Sequence, residues 1–410
     1  MAVLGCIADD FTGASDAASF LVKGGMSVQL YNGVPAQAPD AENSAQALVI
    51  ALKSRTQKTD EAVADSVAAA KFLLECGVKQ IYFKYCSTFD STPEGNIGPV
   101  ADALMELTGA RCTILCPALP VNGRTVENGC LMVNGVHLHH SHMKDHPLTP
   151  MWDSRIATLM TPQTKYACLE IGTEMSVPES DAPVYLIPDY KNPEEGQTIA
   201  QAFWQLPLLT GGSGLLEPLA RIWTKELGNA GGMPESATQG GALLLAGSCS
   251  KATLGQIAWY QAQGKPTYKL NPMEMLSGEQ TVEDAWKFIQ ENTTAEDTVL
   301  VYSSDTPENV RKFQALGSTE RVAATLEGAT AELAVRAVKA GFTRIISAGG
   351  ETSGAVTKGL GFDAYWMGES VAPGVPIMVP VGHEEIRLIL KSGNFGQEDF
   401  FGRALDMTKA

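Results

Sequence analysis

Apolar runs of strand length recur along this chain, each followed by a segment with helical spacing, and that alternation limits the fold more than any other feature. Residues 3–8, 48–52, 80–83, 112–116 and 184–187 read as strands, while 60–75 and 97–107 have the spacing of helices. Strand and helix alternating in this way predict βαβ units and a largely parallel sheet flanked by helices, an α/β fold. A second series begins at 242–246 and continues through strands at 298–302 and 344–347, with helices over 254–263, 282–292 and 324–340. Between the series, 228–241 reads GNAGGMPESATQGG, rich in glycine and without apolar periodicity. That composition marks a linker. The expected organisation is one α/β domain over 1–230, a linker over 231–241 and a second α/β domain over 242–410, with the active site in the cleft between the domains. A chain of 410 residues accommodates two domains of ordinary size.

Charge removes whole classes of partner. The formal net charge is −16, whereas nucleic acid and anionic membrane both call for a cationic footprint. A small anionic substrate stays open, because a few local Lys and Arg side chains reverse the potential inside one cleft. The eight cysteines are scattered with no C-x-x-C pair, the usage of a reduced cytoplasmic protein. The start, MAVLGCIADD, has no basic region, and no apolar run approaches the ~18 residues of a membrane span. The oligomeric state is not legible, and a homo-oligomer is left open.

In open parallel sheets, ligands lie beyond the carboxyl ends of the strands, so the residues after each strand are the candidates. After the first come Asp9, Asp10, Phe11, Thr12 and Gly13. Asp10 and Thr12 are able to cap the following helix; alternatively an aspartate takes the proton of a substrate hydroxyl, as phosphoryl transfer to an alcohol requires. After the second come Lys53, Ser54, Arg55 and Thr56, two cations and two hydroxyls suited to a carboxylate or phosphate, Arg55 by a two-point contact. After the third come Lys84, Cys86, Ser87, Thr88 and Asp90. Cys86 has no histidine nearby in sequence to activate it as a nucleophile, and its sulfur reads as packing. Five of the six histidines crowd HLHHSHMKDH at 137–146, but the spacing fits no zinc pattern; His146 is the one singled out as a site candidate. Gly212 and Ser213 lie in TGGSG, a glycine-rich turn that either offers N–H groups to an anion or simply turns the chain.

The second series repeats one theme. Gly247-Ser248-Cys249-Ser250 and AGGETSGA at 348–355 each follow an apolar strand and lead into a helix, and KSGNFG at 391–396 lies near the C-terminus. Glycines permit close approach, hydroxyls and N–H groups bind oxygens, and a helix N-terminus favours an anion. Glu351 is placed to hold Mg²⁺ directly or through water. Neither G-x-x-x-x-G-K-[ST] nor G-x-G-x-x-G is present, so the chain is no P-loop enzyme and a dinucleotide-binding reading is weak.

Taken in order, ADDFTGA at 8–14, KSRT at 53–56, FKYCSTFDSTPEGNIGP at 83–99, HPLTPM at 146–151, GSCS, AGGETSGA and KSGNFG resemble the four-carbon acid sugar kinases, and within them the 3-oxo-tetronate 4-kinase branch. The resemblance implies an N-terminal sugar-acid domain, a C-terminal nucleotide domain and transfer of the ATP γ-phosphoryl group, with Mg²⁺, to the terminal hydroxyl of a 3-oxo-tetronate or a relative of the 2-dehydro-erythronate or threonate type. It implies ATP contacts at Ser248, Ser250, Gly349, Gly350, Glu351, Thr352 and Gly393, and substrate contacts at Asp9, Asp10, Lys53, Arg55, Lys84 and Asp90. The histidine-rich stretch before HPLTPM departs from the family pattern. Two other classes remain at this stage: a nicotinamide-dependent hydroxy-acid dehydrogenase, and a two-domain binding protein without catalysis.

Overall fold

The computed structural model describes residues 2–37, 45–146, 149–177, 180, 182–228, 234–294, 297–305, 309 and 319–410. Pro147 and Leu148 of HPLTPM, and 231–233 of the expected linker, fall outside them. The chain forms two compact units, Met1–Met233 and Pro234–Ala410.

The first unit runs β1 Leu4–Ala8, α1 Phe11–Lys23, β2 Val28–Asn32, β3 Ala47–Ala51, α2 Thr59–Glu75, β4 Gln80–Lys84, α3 Ile97–Thr108, β5 Cys112–Cys116, β6 Arg124–Glu127, β7 Cys130–Val133, β8 Val136–His137, α4 Ile156–Met160, β9 Ala167–Gly172, β10 Val184–Pro188, α5 Pro193–Phe203, β11 Leu208–Gly211 and α6 Leu216–Leu227. Eight strands form a parallel sheet in the order β2-β3-β1-β4-β11-β5-β10-β9. Strands β1 and β3 are buried on both faces, which is why they read as unbroken apolar runs, and β5 departs from that only at buried Thr113. Two elements escape that signal. Strand β2 carries Gln29 in the core, where its Oε1 accepts the Tyr31 hydroxyl at 2.9 Å, and β6-β7-β8 form a separate antiparallel sheet.

The centre of this sheet sets up the site. In the order β3-β1-β4, backbone bonds continue past the strand ends: Leu52 N–H donates to Ala8 O at 2.9 Å, Arg55 N–H to Asp9 O at 3.3 Å and Asp9 N–H to Lys84 O at 3.1 Å. The three polar junctions of the sequence therefore emerge side by side. Helix α1 starts there because Asp10 Oδ1 accepts the Gly13 N–H at 2.7 Å, an N-cap.

The second unit runs β12 Gly241–Ala246, α7 Lys251–Ala262, β13 Thr267–Lys269, α8 Pro272–Ser277, α9 Val282–Asn292, β14 Val299–Tyr302, α10 Thr319–Lys339, β15 Phe342–Ala348, α11 Gly350–Leu360, β16 Ala364–Ala372, β17 Val375–Pro380, β18 Arg387–Lys391 and α12 Phe400–Thr408. Its strand order is β13-β14-β12-β15-β18-β17-β16, parallel except that β17 opposes both neighbours. Helix α7 begins earlier than its periodicity suggested because Ser250 caps it, accepting the Thr253 N–H at 3.2 Å. Residues 236–238 are held against this unit: Arg387 donates to Ser236 O and Ala237 O, and Thr238 N–H to Thr408 O. Among the described residues, no helix is long and apolar enough to cross a membrane.

Candidate functional site

Beyond β3, β1 and β4 lies a cavity of about 440 Å³ lined by Asp9, Asp10, Lys53, Arg55, Thr56, Asp90, His146 and Thr149. Arg55 organises it. Its Nε and Nη2 donate to the two oxygens of Asp9 at 2.8 Å each, and its Nη1 lies 3.1 Å from Asp10 Oδ2. Burial pushes the Asp9 carboxyl up, opposed by the bonds and charge of Arg55. Burial works against the Arg55 cation, yet Asp9 and Asp10 hold it above the ordinary guanidinium range. The Asp9 side chain is 6% exposed and the Asp10 side chain 34%, so of the two carboxylates Asp10 is the accessible one.

Lys53 is exposed at the cavity, and its ammonium has no hydrogen bond or ion pair among the described residues. Asp90 Oδ1 accepts the Thr88 hydroxyl at 2.6 Å. His146 Nδ1 accepts the Thr149 N–H at 3.1 Å and lies 2.8 Å from Thr149 Oγ1. With Nδ1 accepting, the neutral ring carries its proton on Nε2 and is a donor there.

Other candidates sit behind the cavity wall. Lys84 is buried and donates to Tyr85 O at 2.8 Å. Ser54 is buried with its Oγ unbonded, and Ser87 is half-buried away from the cavity. Gly212 is a packing residue: a Cβ there would stand 2.3 Å from Pro117 O. Ser213 Oγ donates to half-buried Asp16, whose carboxyl desolvation pushes up. Cys86 is a packed thiol in this arrangement, since burial and then Asp90 push it up to about 11.

In the second unit the adjacent carboxyl ends of β12, β15 and β18 converge in the same way. Gly247 N–H donates to Ala348 O at 3.0 Å and Gly349 N–H to Lys391 O at 2.9 Å. Ser250 Oγ donates to Gly393 O at 2.5 Å. The glycines are required by crowding: a Cβ on Gly393 would lie 2.2 Å from Ser248 Oγ, and one on Gly247 2.1 Å from Thr352 Oγ1. Gly349 adopts φ +134°, open to glycine alone. It starts α11 without a side-chain cap, so the first-turn N–H groups at Gly350, Glu351 and Thr352 are disposed to receive an anion. Gly350 and Glu351 are exposed, whereas Thr352 is buried.

This cradle suits phosphate oxygens. Among the described residues, no group of three or more His, Cys, Asp or Glu side chains is arranged to hold a metal. Mg²⁺ often needs only one or two carboxylates alongside water and substrate phosphates, a role open to Glu351. The rings of His137, His139 and His140 face one another, and His139 Nδ1 lies 2.7 Å from Ser154 Oγ.

Thr149, Asp16, Thr253 and Lys391 were not among the site residues expected from the sequence, whereas Thr56 stood among the candidates after the second strand. Lys391 carried a signal, a cation closing the apolar strand β18 ahead of Ser392-Gly393. Asp16 carried none: it lies inside α1 and meets Ser213 across 197 positions.

A family model described as a sugar-binding N-terminal domain matches residues 4–219, and one described as a nucleotide-binding C-terminal domain matches 243–401. The 3-oxo-tetronate kinase of Pseudomonas savastanoi pv. phaseolicola is 42% identical over 417 residues, covering 98% of this chain and 96% of that one. The 3-oxo-tetronate kinase of Haemophilus influenzae is 40% identical over 418 residues, covering 99% and 100%. A crystal structure of a Haemophilus influenzae protein superposes with TM-score 0.88 at 39% identity, over 98% of this chain and 99% of the other.

Proposed function

The chain belongs to the family of carbohydrate kinases named 3-oxo-tetronate kinase, and on that premise we propose that it transfers the γ-phosphoryl group of ATP to the terminal (C4) hydroxyl of a 3-oxo-tetronate. Membership of a kinase family sets aside the dehydrogenase and the non-catalytic binding protein. The observation that carries the substrate side is the engagement of Arg55 by Asp9 and Asp10 beside an unpartnered Lys53. Arg55 offsets the two aspartates and has little left for a ligand. Lys53 is a cation at the cavity without a partner among the described residues, and it takes the substrate carboxylate. Asp90 accepts from a sugar hydroxyl, and the Nε2–H of His146 donates to the oxo group.

Phosphoryl transfer passes through a loose, in-line transition state, so positioning and charge do most of the work. Asp10 orients the C4 hydroxyl and takes its proton as the new O–P bond forms and the bond to ADP breaks. The N–H groups that open α11 and the loop at Gly393 hold the phosphates, with Ser248 and Ser250 shaping that loop. Glu351 would hold Mg²⁺ directly or through water, and the ion would supply positive charge beside the phosphates. All eight cysteines are unpaired, which fits our reading of a cytoplasmic enzyme.

The test is ADP release by the purified protein with MgATP and a panel of tetronates and 3-oxo-tetronates. Release stimulated by a 3-oxo-tetronate above its 3-hydroxy counterparts supports the reading. Release stimulated only by a different class of sugar acid would sink the substrate assignment.

A further inference from the structure

Lys391 ends β18 and is only 1% exposed. Its ammonium donates to Thr253 Oγ1 at 2.9 Å, Ser392 O at 3.2 Å and Gly393 O at 3.0 Å. Gly393 O also accepts from Ser250 Oγ at 2.5 Å and Thr253 Oγ1 at 2.9 Å. The Lys391 carbonyl, on the other side, accepts the Gly349 N–H that precedes α11. One residue thus fastens the loops after β12, β15 and β18 together.

The acceptors are all neutral. Among the described residues, the Phe400 ring of α12 also faces the ammonium, its centroid 5.6 Å from the nitrogen. From α7 comes Thr253, and from β15 the backbone at Gly349; none is charged. Burial alone lowers the ammonium, to about 8, with no charged group contributing. A desolvated cation without a counter-ion is costly to bury, and here it lies beneath a cradle shaped for phosphate oxygens.

We propose that Lys391 is the positioning residue of the nucleotide loops and the buried counter-charge of a nucleotide phosphate, so that nucleotide binding takes up a proton at alkaline pH. This rests on the reading of the second unit as nucleotide-binding. The sign follows from linkage. In the free protein the lowered group is largely neutral above about pH 8. An adjoining phosphate favours the charged form and raises the group again, so binding above that pH draws in a proton, and affinity falls as pH rises.

The experiment is titration calorimetry of MgADP into the full chain at about pH 8.5, in two buffers of different ionisation enthalpy. The wild type takes up a substantial fraction of a proton per nucleotide, and its affinity drops roughly fivefold from pH 8 to pH 9. Lys391→Met binds more weakly and shows neither effect. Lys391→Arg, charged throughout, binds without proton uptake, and it decides the matter with the wild type if the methionine variant does not fold. Nucleotide binding by the wild type without proton uptake overturns the role of Lys391 and leaves the nucleotide reading standing. No binding of MgADP at all by the folded wild type overturns both.

Discussion

Arg55 holds Asp9 by a two-point contact, Nε to Oδ2 and Nη2 to Oδ1, each at 2.8 Å across 46 positions of sequence. The contact joins the loop after β3 to the loop after β1 and sets the charge of the cavity. Breaking such a pair leaves a buried carboxylate without its partner, which costs ~3–5 kcal/mol in a fully buried setting. Arg55 is partly exposed, so Arg55→Met should destabilise the first unit by about 3 kcal/mol. Denaturant unfolding measures this, and the double variant Asp9→Asn, Arg55→Met should recover part of the loss.

Lys53 stands at the same cavity with no partner to lose. Lys53→Met should leave stability within roughly 0.5 kcal/mol. A charge-assisted contact to the substrate carboxylate contributes ~1.5–3 kcal/mol, so kcat/KM for the acid should fall about 10- to 150-fold. The KM for ATP should not change. Steady-state kinetics with each substrate varied in turn separates the two.

Asp10 caps α1, faces Arg55 across a half-exposed ion pair and is placed to take the proton, and one substitution separates the cap from the base. Asn caps a helix as well as Asp does, so Asp10→Asn should keep the start of α1, where Oδ1 accepts the Gly13 N–H. Loss of a positioned base lowers kcat by ~10²–10⁴. An unchanged melting temperature with kcat down by that range is the expected pair of readings.

The nucleotide loops should be intolerant of a single methyl group. Gly393→Ala puts a Cβ 2.2 Å from Ser248 Oγ, and Gly349→Ala forces an L-residue to φ +134°. Backbone strain of this kind costs ~1–3 kcal/mol. Both variants should weaken ATP binding, while the first unit's affinity for the acid, measured without nucleotide, stays as in the wild type.

Much of this arrangement was legible in the chain. Strands β1, β3, β4 and β5 are covered on both faces, so their residues are mostly apolar and their boundaries fell close to the expected ones. Polar residues directly after them stood out for the same reason. What stayed hidden depends on contacts between distant parts. The Arg55 side chain looked available for a ligand, because nothing local says that Asp9 and Asp10 engage it. Gly212 was open to two readings, an anion-binding turn or a plain one, and its missing Cβ serves the close approach of Pro117 O. Strand β2 was masked by Gln29, a polar side chain whose core partner is Tyr31, and β16 by the glycine and polar residues of AYWMGESVA. Nothing in KSGNFG told that Lys391 is buried; only packing reveals that.

The central claim is transfer to the terminal hydroxyl of a 3-oxo-tetronate. Its most direct test is phosphorus–proton correlation NMR of the product formed from MgATP and that acid. The account predicts one phosphomonoester whose phosphorus couples to the two C4 protons. Phosphorus coupled instead to a methine proton, or ATP hydrolysed to free phosphate with the acid unmodified, would contradict it.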